Sequence, residues 1–373
     1  MMKGNQTCIK CVMDSSDPSI TFNNKGICKY CCEYERILKR MKISKEKTQK
    51  RLDAIAEEIK SYGRGHDYDS LLGLSGGVDS SYVAYLAKQM EYRPLLVNVN
   101  NGWDSKLAVE NVKLLVDKLG YDLYTYTINW QEFKDMQRSL LKASVIDIEI
   151  LSDHVITAAL FKIARENKIK YILTGGNIAT EYGMPKAWVW RKQDLSNIKA
   201  IQKQFGTKKI QSLPTFSTWQ RVRNAIFKQI RYIKLLNYID YRKNEAIEIL
   251  SSSFGWQYYG GKHYESIFTK FYQAYILPEK FDIDKRKSHF SSLIRNGEMT
   301  RNEALEELQK PPYEPKELHN DMEYVINKLG FSKDEFEEIM QLPIKSHTDY
   351  PSDERILRYL DPLIKIYEKI FEY

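Results

Sequence analysis

Between residues 68 and 177, short apolar runs alternate with stretches in which apolar residues recur every three or four positions. The runs have the length of strands, and the stretches have the spacing of amphipathic helices. We predict strands at 70–74, 95–99, 123–128 and 171–174, with helices near 79–90, 106–119 and 153–167. Strands that alternate with helices predict a parallel, doubly wound sheet, on which ligands bind beyond the carboxyl ends of the strands.

Helical spacing also extends to both sides of this region. Apolar residues recur at helical positions in 44–62, where Gly63 follows as a stop, and in 220–236. After residue 264 the pattern is helical, with capping boxes that begin at Thr300 and Ser332. We therefore predict four units along the chain: a cysteine-rich ribbon at 1–43, a connecting helix at 44–66, an α/β domain at 67–185, and a basic segment with a helical C-terminal region at 186–373.

The composition is that of an ordinary folded protein, with 43% hydrophobic and 28% charged residues among 373. This apolar content excludes disorder as the main state. The longest apolar runs are only strand-length, so the sequence predicts no membrane span. Residues 1–10 contain no apolar signal core, and we expect a cytoplasmic protein.

Positive charge is concentrated in one part of the chain. The formal net charge is +8, but residues 186–234 contain twelve basic residues and one acidic residue. This segment alone carries +11, and the rest of the chain is slightly acidic. A local excess of this kind favours an anionic partner.

The five cysteines all lie within the first 32 residues. Two Cys-x-x-Cys pairs, Cys8 with Cys11 and Cys28 with Cys31, are separated by sixteen residues, which is the spacing of a zinc ribbon. Four thiolates complete the closed tetrahedral shell of a structural Zn²⁺. Cys32 is a fifth thiol, which can lie beside the metal or replace Cys31.

A segment rich in glycine and serine follows the first predicted strand and reads Ser75-Gly76-Gly77-Val78-Asp79-Ser80-Ser81. Two glycines let the backbone turn so that several N–H groups point to one place. The serine hydroxyls lie at the predicted helix start, where a phosphate is favoured, and Asp79 is a candidate ligand for Mg²⁺. No lysine follows the glycines, so the loop is not of the Walker type.

This segment, between a strand and a helix, resembles the PP-loop of the N-type ATP pyrophosphatases. The resemblance implies that the loop binds the pyrophosphate of ATP, and that cleavage at the α-phosphate leaves AMP on a substrate oxygen. Leu74 and 97–99 would frame the adenine, or serve only as sheet core. Asp153 is either a nucleotide or metal contact or a partner of its helix N-terminus. The implied ATP-binding residues are Leu74, Ser75, Gly76, Gly77, Val78, Asp79, Ser80, Ser81, Val97, Asn98, Val99, Asp153, Gly175 and Asn177.

Further motifs resemble one branch of this superfamily, the N-acetyl sugar amidotransferases of bacterial surface-glycan biosynthesis. They are Thr174-Gly175-Gly176-Asn177 with Glu181, and the segments 260–266, 280–286 and 291–305, together with the N-terminal cysteine pairs. The resemblance covers nearly the whole chain. It implies adenylation of the acetamido oxygen of a nucleotide-activated sugar, followed by attack of ammonia to give an acetamidino group, as in the modification of lipopolysaccharide and flagellin sugars.

Individual side chains in and near these motifs have the chemistry and position for roles in such a reaction. Asp79, the Mg²⁺ candidate, is also a catalytic candidate. Glu181 would act as a base or orient ammonia, or it would only form a surface salt bridge. Lys262 would stabilise charge at the α-phosphate, and His263 would be a general acid or base or a structural histidine. Glu265, Lys285 and Arg286 would contact the substrate, or the last two would lie on a solvated helix face. Trp188, Trp190 and Trp219 could stack on a sugar or base, or pack in the core.

The chain must obtain ammonia from elsewhere, since a glutaminase needs a cysteine nucleophile and none follows Cys32. The resemblance implies a separate glutaminase like that of imidazole glycerol phosphate synthase, with a barrel-type companion. One rival reading is a tRNA-modifying PP-loop enzyme, which would use the basic segment on RNA. Nucleic acid is the less expected partner, because sulfur-transfer members need cysteines near the active site. A second rival is a scaffold whose loop does not turn over ATP.

Overall fold

The computed structural model describes residues 6–42, 45–227 and 230–354. Its centre is a five-stranded sheet in the order β3-β2-β1-β4-β5, with every neighbouring pair parallel. The chain builds outward from β1 to β3 and then returns to add β4 and β5 on the other side, so the order reverses between β1 and β4. This confirms the predicted doubly wound α/β fold. The strands are β1 (Ser70–Gly73), β2 (Pro94–Asn100), β3 (Leu123–Thr127), β4 (Tyr171–Thr174) and β5 (Arg231–Lys234).

Helices cover both faces of the sheet and form most of the C-terminal region. Those of the N-terminal part are α1 (Lys29–Lys42), α2 (Lys45–Tyr62), α3 (Val78–Gln89), α4 (Lys106–Leu119), α5 (Trp130–Lys142), α6 (Ile150–Glu166) and α7 (Ile178–Glu181). Those that follow are α8 (Leu195–Phe205), α9 (Thr218–Phe227), α10 (Lys243–Phe254), α11 (Ile267–Phe271), α12 (Leu277–Phe281), α13 (Arg286–Asn296), α14 (Arg301–Gln309), α15 (Pro315–Leu329) and α16 (Lys333–Gln341).

Successive side chains along each strand point to opposite faces of the sheet and contribute to two separate hydrophobic cores. Leu72 and Leu96 point to the side of α3 and α4, where α2 and α10 also pack. Leu71 and Ile172 point to the opposite side, where α6 covers the sheet. Because both faces are buried, β1 and β4 consist of nearly continuous apolar residues, as parallel sheets require.

The predicted helix over 220–236 is wrong in its second half. Helix α9 ends at Phe227, and β5 pairs in parallel with β4 from Arg231 onward. Ile230 and Ile233 keep helical spacing in the sequence, but both are buried against the sheet. The α/β sheet therefore includes a strand from beyond 67–185, in the segment that we assigned to the basic region.

The N-terminal ribbon is fastened to the C-terminal helices. The amide of Val12 donates to the Ser291 hydroxyl in α13 at 3.2 Å. Arg301, at the start of α14, donates from Nε to the carbonyls of Cys8 and Cys11, both at 3.2 Å. These bonds satisfy backbone carbonyls of the first cysteine pair and connect the ribbon to α13 and α14.

The tryptophans considered for stacking have different environments. Trp188 is buried, and the ring of Trp190 stacks on His347 with the centroids 5.0 Å apart. Trp219 is 66% exposed on α9. Core packing thus accounts for Trp188 and Trp190. No helix in the described ranges is long and apolar enough to cross a membrane.

Candidate active site

A cavity of about 550 Å³ lies beyond the carboxyl ends of β1 and β4. This is where the strand order reverses, the place at which open α/β sheets bind ligands. The volume falls in the range of small-molecule sites. The predicted residues that line it are Leu74, Ser75, Gly77, Val78, Asp79, Ser80, Val97, Asn98, Val99, Asp153, Gly175, Glu181, Lys262, His263, Glu265 and Lys285.

The PP-loop lies against the start of α3 and is shaped by its glycines. Gly76 has a φ of 81°, and a Cβ atom there would lie 2.5 Å from the carbonyl oxygen of Ala108 in α4, so only glycine fits. Gly77 caps α3 without a side-chain hydrogen bond, and the Ser75 hydroxyl accepts from its amide at 3.2 Å. The hydroxyls of Ser75 and Ser80 are 3.2 Å apart. Two hydroxyls and the helix start thus lie together as a phosphate site requires, although the amide of Val78 donates to the Tyr259 hydroxyl at 3.0 Å.

Four of the predicted residues are absent from the cavity lining. The carbonyl of Gly76 accepts from the Trp256 indole at 3.0 Å, and Ser81 is buried, with no hydrogen-bond partner for its hydroxyl among the described residues. Asn177 caps α7. Arg286 donates to Asp284, with its shortest contact at 2.7 Å, and to three carbonyls near the end of α14. Its guanidinium therefore organises the C-terminal helices in this structure instead of facing the cavity.

An ion network joins the loop to the segment after α10. The ammonium of Lys262 lies 3.2 Å from a carboxylate oxygen of Asp79 and 3.2 Å from one of Glu181. It also donates to the Thr180 hydroxyl at 2.9 Å, and Tyr241 donates to Asp79 at 2.5 Å. Burial alone would raise the pKa of Asp79, but the Lys262 ammonium and the Tyr241 hydroxyl hold it below its usual value. The network keeps Asp79 ionised beside the phosphate site.

His263 and Glu265 form a second pair next to the PP-loop. The Nδ1 atom of His263 lies 3.7 Å from a Glu265 carboxylate oxygen, and His263 has a φ of 63°. Burial lowers the pKa of His263, but Glu265 outweighs it and raises the pKa above its ordinary value. Glu265 also reaches the loop, since a Cβ atom on Gly77 would lie 3.1 Å from the same carboxylate oxygen. His263 is therefore tied to the PP-loop through one carboxylate.

Charged side chains of alternating sign are paired at and beside the cavity; Asp147, Glu149 and Lys285 are buried, whereas the Asp153 side chain is half exposed. Lys192 lies 2.8 Å from Asp147 and 3.1 Å from Asp153, and Lys285 lies 3.1 Å from Glu149. Partial loss of hydration inside the cavity raises the pKa of Asp153, although Lys192 opposes this. Asp153 lies in the first turn of α6. The sequence analysis missed the roles of Lys192 and Glu149; the only available signal was the concentration of basic residues at 186–234.

The cysteines form a cluster apart from the cavity. The sulfur atoms of Cys8, Cys11, Cys28 and Cys31 all lie within 4.8 Å of one another, and all four residues are buried. The sulfurs of Cys11 and Cys28 are 3.7 Å apart, against ~3.8 Å for thiolates around a tetrahedral Zn²⁺. Cys32 is not in the cluster; its sulfur accepts from Asn23 at 3.6 Å. The four thiols fit a closed, structural zinc site.

A parallel sheet with the SGGVDSS loop at its switch point defines a PP-loop domain of the ATP pyrophosphatase class. The family model of NAD synthase matches residues 47–214. The model described as the C-terminal domain of LPS biosynthesis protein WbpG-like proteins matches residues 265–365. Together the two matches support a PP-loop protein related to the lipopolysaccharide-biosynthesis proteins that carry this WbpG-like domain. Its fold implies the use of ATP with Mg²⁺.

Several known proteins are similar over parts of the chain. The tRNA-specific 2-thiouridylase MnmA 2 of Fusobacterium nucleatum is 28% identical over 143 residues, which are 36% of this chain and 39% of that protein. The NH3-dependent NAD synthetase of Campylobacter jejuni is 18% identical, over 42% of this chain and 72% of that one, with a TM-score of 0.29. NMN synthetase of Francisella tularensis is 14% identical, over 58% and 88%, with a TM-score of 0.25. The chain spans about two fifths of the length of the curated relative.

Proposed function

We propose that this chain is an ATP-dependent amidotransferase that acts on a nucleotide-activated N-acetyl sugar. It would convert the acetamido group into an acetamidino group for lipopolysaccharide, flagellin or another surface glycan. The observation that carries the proposal is a PP-loop facing a cavity of about 550 Å³ in a chain with a WbpG-like C-terminal domain. ATP and nucleotide sugars are cytoplasmic substrates, and we expect the chain to act there.

The reaction divides into two halves. In the first, the acetamido oxygen attacks the α-phosphorus of ATP, the bond to the β-phosphate oxygen breaks, and pyrophosphate leaves. In the second, ammonia adds to the carbon of the resulting O-adenylyl imidate and AMP leaves with the former acetamido oxygen. An amide oxygen is a poor leaving group, and adenylation turns it into a good one. This need for activation is a chemical reason for a PP-loop.

Side chains around the cavity have chemistry that suits the first half. The hydroxyls of Ser75 and Ser80 and the N–H groups at the start of α3 would bind the pyrophosphate. Asp79 is a hard oxygen ligand at the phosphates, and one carboxylate with substrate phosphates is a common Mg²⁺ set, so the residues fit this ion. Lys262, 3.2 Å from Asp79, would stabilise charge that develops on the α-phosphate.

The remaining lining suggests where the other substrate groups bind. Leu74 and residues 97–99, at the carboxyl end of β2, would frame the adenine. The side-chain amide of Asn98 donates to the Leu74 carbonyl at 3.0 Å. Lys285 and Glu265, which also line the cavity, would contact the sugar nucleotide. Glu181 would hold ammonia near the imidate, with Lys262 fixing its orientation at 3.2 Å.

Ammonia would be supplied by a separate glutaminase subunit. A glutaminase needs an activated cysteine, and the sequence contains none after residue 32. Four of the five cysteines belong to the buried cluster. The resemblance to the sugar amidotransferases suggests delivery through a barrel-type companion.

A turnover assay tests the proposal. Purified chain is mixed with Mg²⁺, ATP, a high ammonium concentration and a panel of nucleotide-activated N-acetyl sugars, and AMP, pyrophosphate and sugar mass are measured together. We expect AMP with one sugar, and a product in which oxygen has become NH. Asp79→Ala should abolish both, while Glu110→Gln, an exposed charge change on α4, should leave them unchanged. Absence of AMP with every sugar would contradict the proposal.

The alternative function that separate observations favour is that of a tRNA-modifying enzyme. A thiouridylase is the curated relative, and residues 186–234 carry +11. RNA bound through such a segment would dissociate steeply with added salt. Thiolation by this chain is disfavoured because no cysteine lines the cavity formed by the described residues. AMP formation that depends on bulk tRNA and not on any sugar would favour this alternative.

A further inference from the structure

The cavity contains a carboxylate to which neither the motifs nor the resemblance assigns a role. Asp104 follows β2 in the segment Asn101-Gly102-Trp103-Asp104-Ser105, and it lines the cavity together with Asp79, Glu181 and Glu265. Its carboxylate accepts no hydrogen bond and forms no ion pair within 4.0 Å with any residue that the structure describes. By contrast, Glu181 has the Lys262 ammonium at 3.2 Å. Of these two acids, Asp104 is the one whose lone pairs are available to a ligand.

The position of Asp104 is fixed from both sides. The amide of Ser105 donates to the Glu265 carbonyl at 2.8 Å, and the amide of Ile267 donates to the Trp103 carbonyl at 2.9 Å. Trp103 is buried, and its indole donates to Gln137 at 2.8 Å. Asp104 is thus held in a short antiparallel bridge to the segment that carries Glu265. A group held in this way keeps its geometry during a reaction.

The PP-loop lies next to this bridge. Helix α4 begins one residue after Ser105, and its Ala108 carbonyl is the atom that a Cβ on Gly76 would meet at 2.5 Å. Glu265 touches the next loop residue, since a Cβ on Gly77 would lie 3.1 Å from its carboxylate. Asp104 therefore belongs to the wall that faces whatever is bound at the loop.

The charged groups around Asp104 favour proton uptake near neutral pH. Burial first, and the Glu265 carboxylate second, raise the pKa of Asp104 to about 6, while Lys328 of α15 opposes them. Lys328 itself donates to the Gly102 carbonyl and lies 4.7 Å from the centre of the Trp103 ring. A general base works best when its pKa is close to the working pH.

We propose that Asp104 is the proton acceptor of the amidation half of the reaction, an inference that rests on the proposed function. The nitrogen of ammonia forms a bond to the imidate carbon, and a proton on that nitrogen passes to the Asp104 carboxylate. The bond from this carbon to the AMP oxygen then breaks, and its electron pair leaves with AMP. The proton on Asp104 returns to water after the amidino product departs. Glu181, paired with Lys262, orients the attacking nitrogen.

The test separates the two halves of the reaction in the full-length chain. Exchange of labelled pyrophosphate into ATP, in the presence of the N-acetyl sugar, reports adenylation alone. Release of amidino sugar with ammonium reports both halves. For Asp104→Asn we expect amidation to fall at least about 30-fold more than exchange, because general bases contribute 10²- to 10⁴-fold. Asp104→Glu should recover part of the loss, and Glu110→Gln should change neither rate.

Each other outcome overturns a defined part of the argument. If Asp104→Asn lowers exchange as much as amidation, the residue holds a substrate or the loop and is not the proton acceptor. If it lowers neither, the residue has no part in the reaction. Exchange by the wild-type chain without amidation, or neither reaction with any sugar, refutes the amidotransferase itself, and the role of Asp104 falls with it. Thermal unfolding of each variant distinguishes these results from loss of the fold.

Discussion

Replacing Gly175 by alanine should weaken ATP binding, whereas the same change at its neighbour Gly176 should not. A Cβ atom on Gly175 would lie 2.8 Å from the backbone carbon of Asp79 and 2.8 Å from the amide nitrogen of Ser80. Both atoms belong to the first turn of α3, which cannot move aside as a flexible side chain can. A Cβ on Gly176 would have ordinary contacts, 3.6 Å from Thr174 and 3.7 Å from Glu181.

The magnitude follows from the size of the overlap. Restoring a contact of 3.4 Å would require the end of β4 and the start of α3 to separate by about 0.6 Å. Overpacking of this kind costs ~1–3 kcal/mol, or roughly 5- to 150-fold in an equilibrium constant. The strain would fall on the turn that carries the phosphate-binding N–H groups. At Gly176 the loss of unfolded-chain entropy should instead leave stability equal or higher by ~0.4–1 kcal/mol.

Calorimetric titration with ATP and Mg²⁺, together with thermal unfolding, measures both effects without any assumption about the second substrate. We expect Gly175→Ala to raise the dissociation constant at least about fivefold, and Gly176→Ala to leave it within twofold. Wild-type affinity in Gly175→Ala would refute the steric reasoning. An equal loss in both variants would show that the cause is not the contact with α3.

Three further changes test other parts of the structure. Lys262→Met removes the cation between Asp79 and Glu181 and should lower AMP formation roughly 100-fold in the turnover assay, with near-normal folding as the control. Arg301→Ala removes two hydrogen bonds to ribbon carbonyls, so a chelator titration should release zinc at lower chelator concentration, and an unchanged midpoint would contradict this. Burial lowers the pKa of His347 to about 4, so the unfolded chain binds a proton between pH 6.5 and 4 that the folded chain does not, and stability falls as pH falls. His347→Gln should reduce the loss of unfolding free energy between pH 7 and pH 5 by about 2 kcal/mol in urea titrations, and an unchanged pH dependence would refute this assignment.

The sequence predicted the strands of the sheet well where the spacing of apolar residues in a strand differs from that in its flanking helices. The four predicted strands lie within two residues of the observed ones, because each is rich in aliphatic, aromatic or β-branched residues and is bounded by polar or glycine positions. Strand β5 was missed because Ile230 and Ile233 continue the helical spacing of α9. Its strand conformation comes from pairing with β4, which is a tertiary contact.

The candidate site likewise contains residues that the sequence could predict and residues that it could not. The PP-loop could be predicted because its residues are consecutive, and the loop chemistry depends on their backbone. Lys192 and Asp104 could not, because they come from loops that the fold brings to the cavity from distant parts of the sequence. Arg286 was placed at the substrate from its motif and its capacity for a two-pronged contact, but the carboxylate two residues before it binds its guanidinium.

Contacts along α13 connect the ribbon to the cavity. Lys285, which caps this helix, and His289, one turn later, line the cavity. The same helix accepts a hydrogen bond from the ribbon at Ser291, and the Ser292 hydroxyl donates to the Tyr182 carbonyl at the end of α7 at 2.8 Å. A shift of α13 would therefore move cavity residues from two elements together. None of the four clustered cysteines is among the described residues that line the cavity, so the cysteine cluster is connected to the site through α13 and not by direct contact with the cavity.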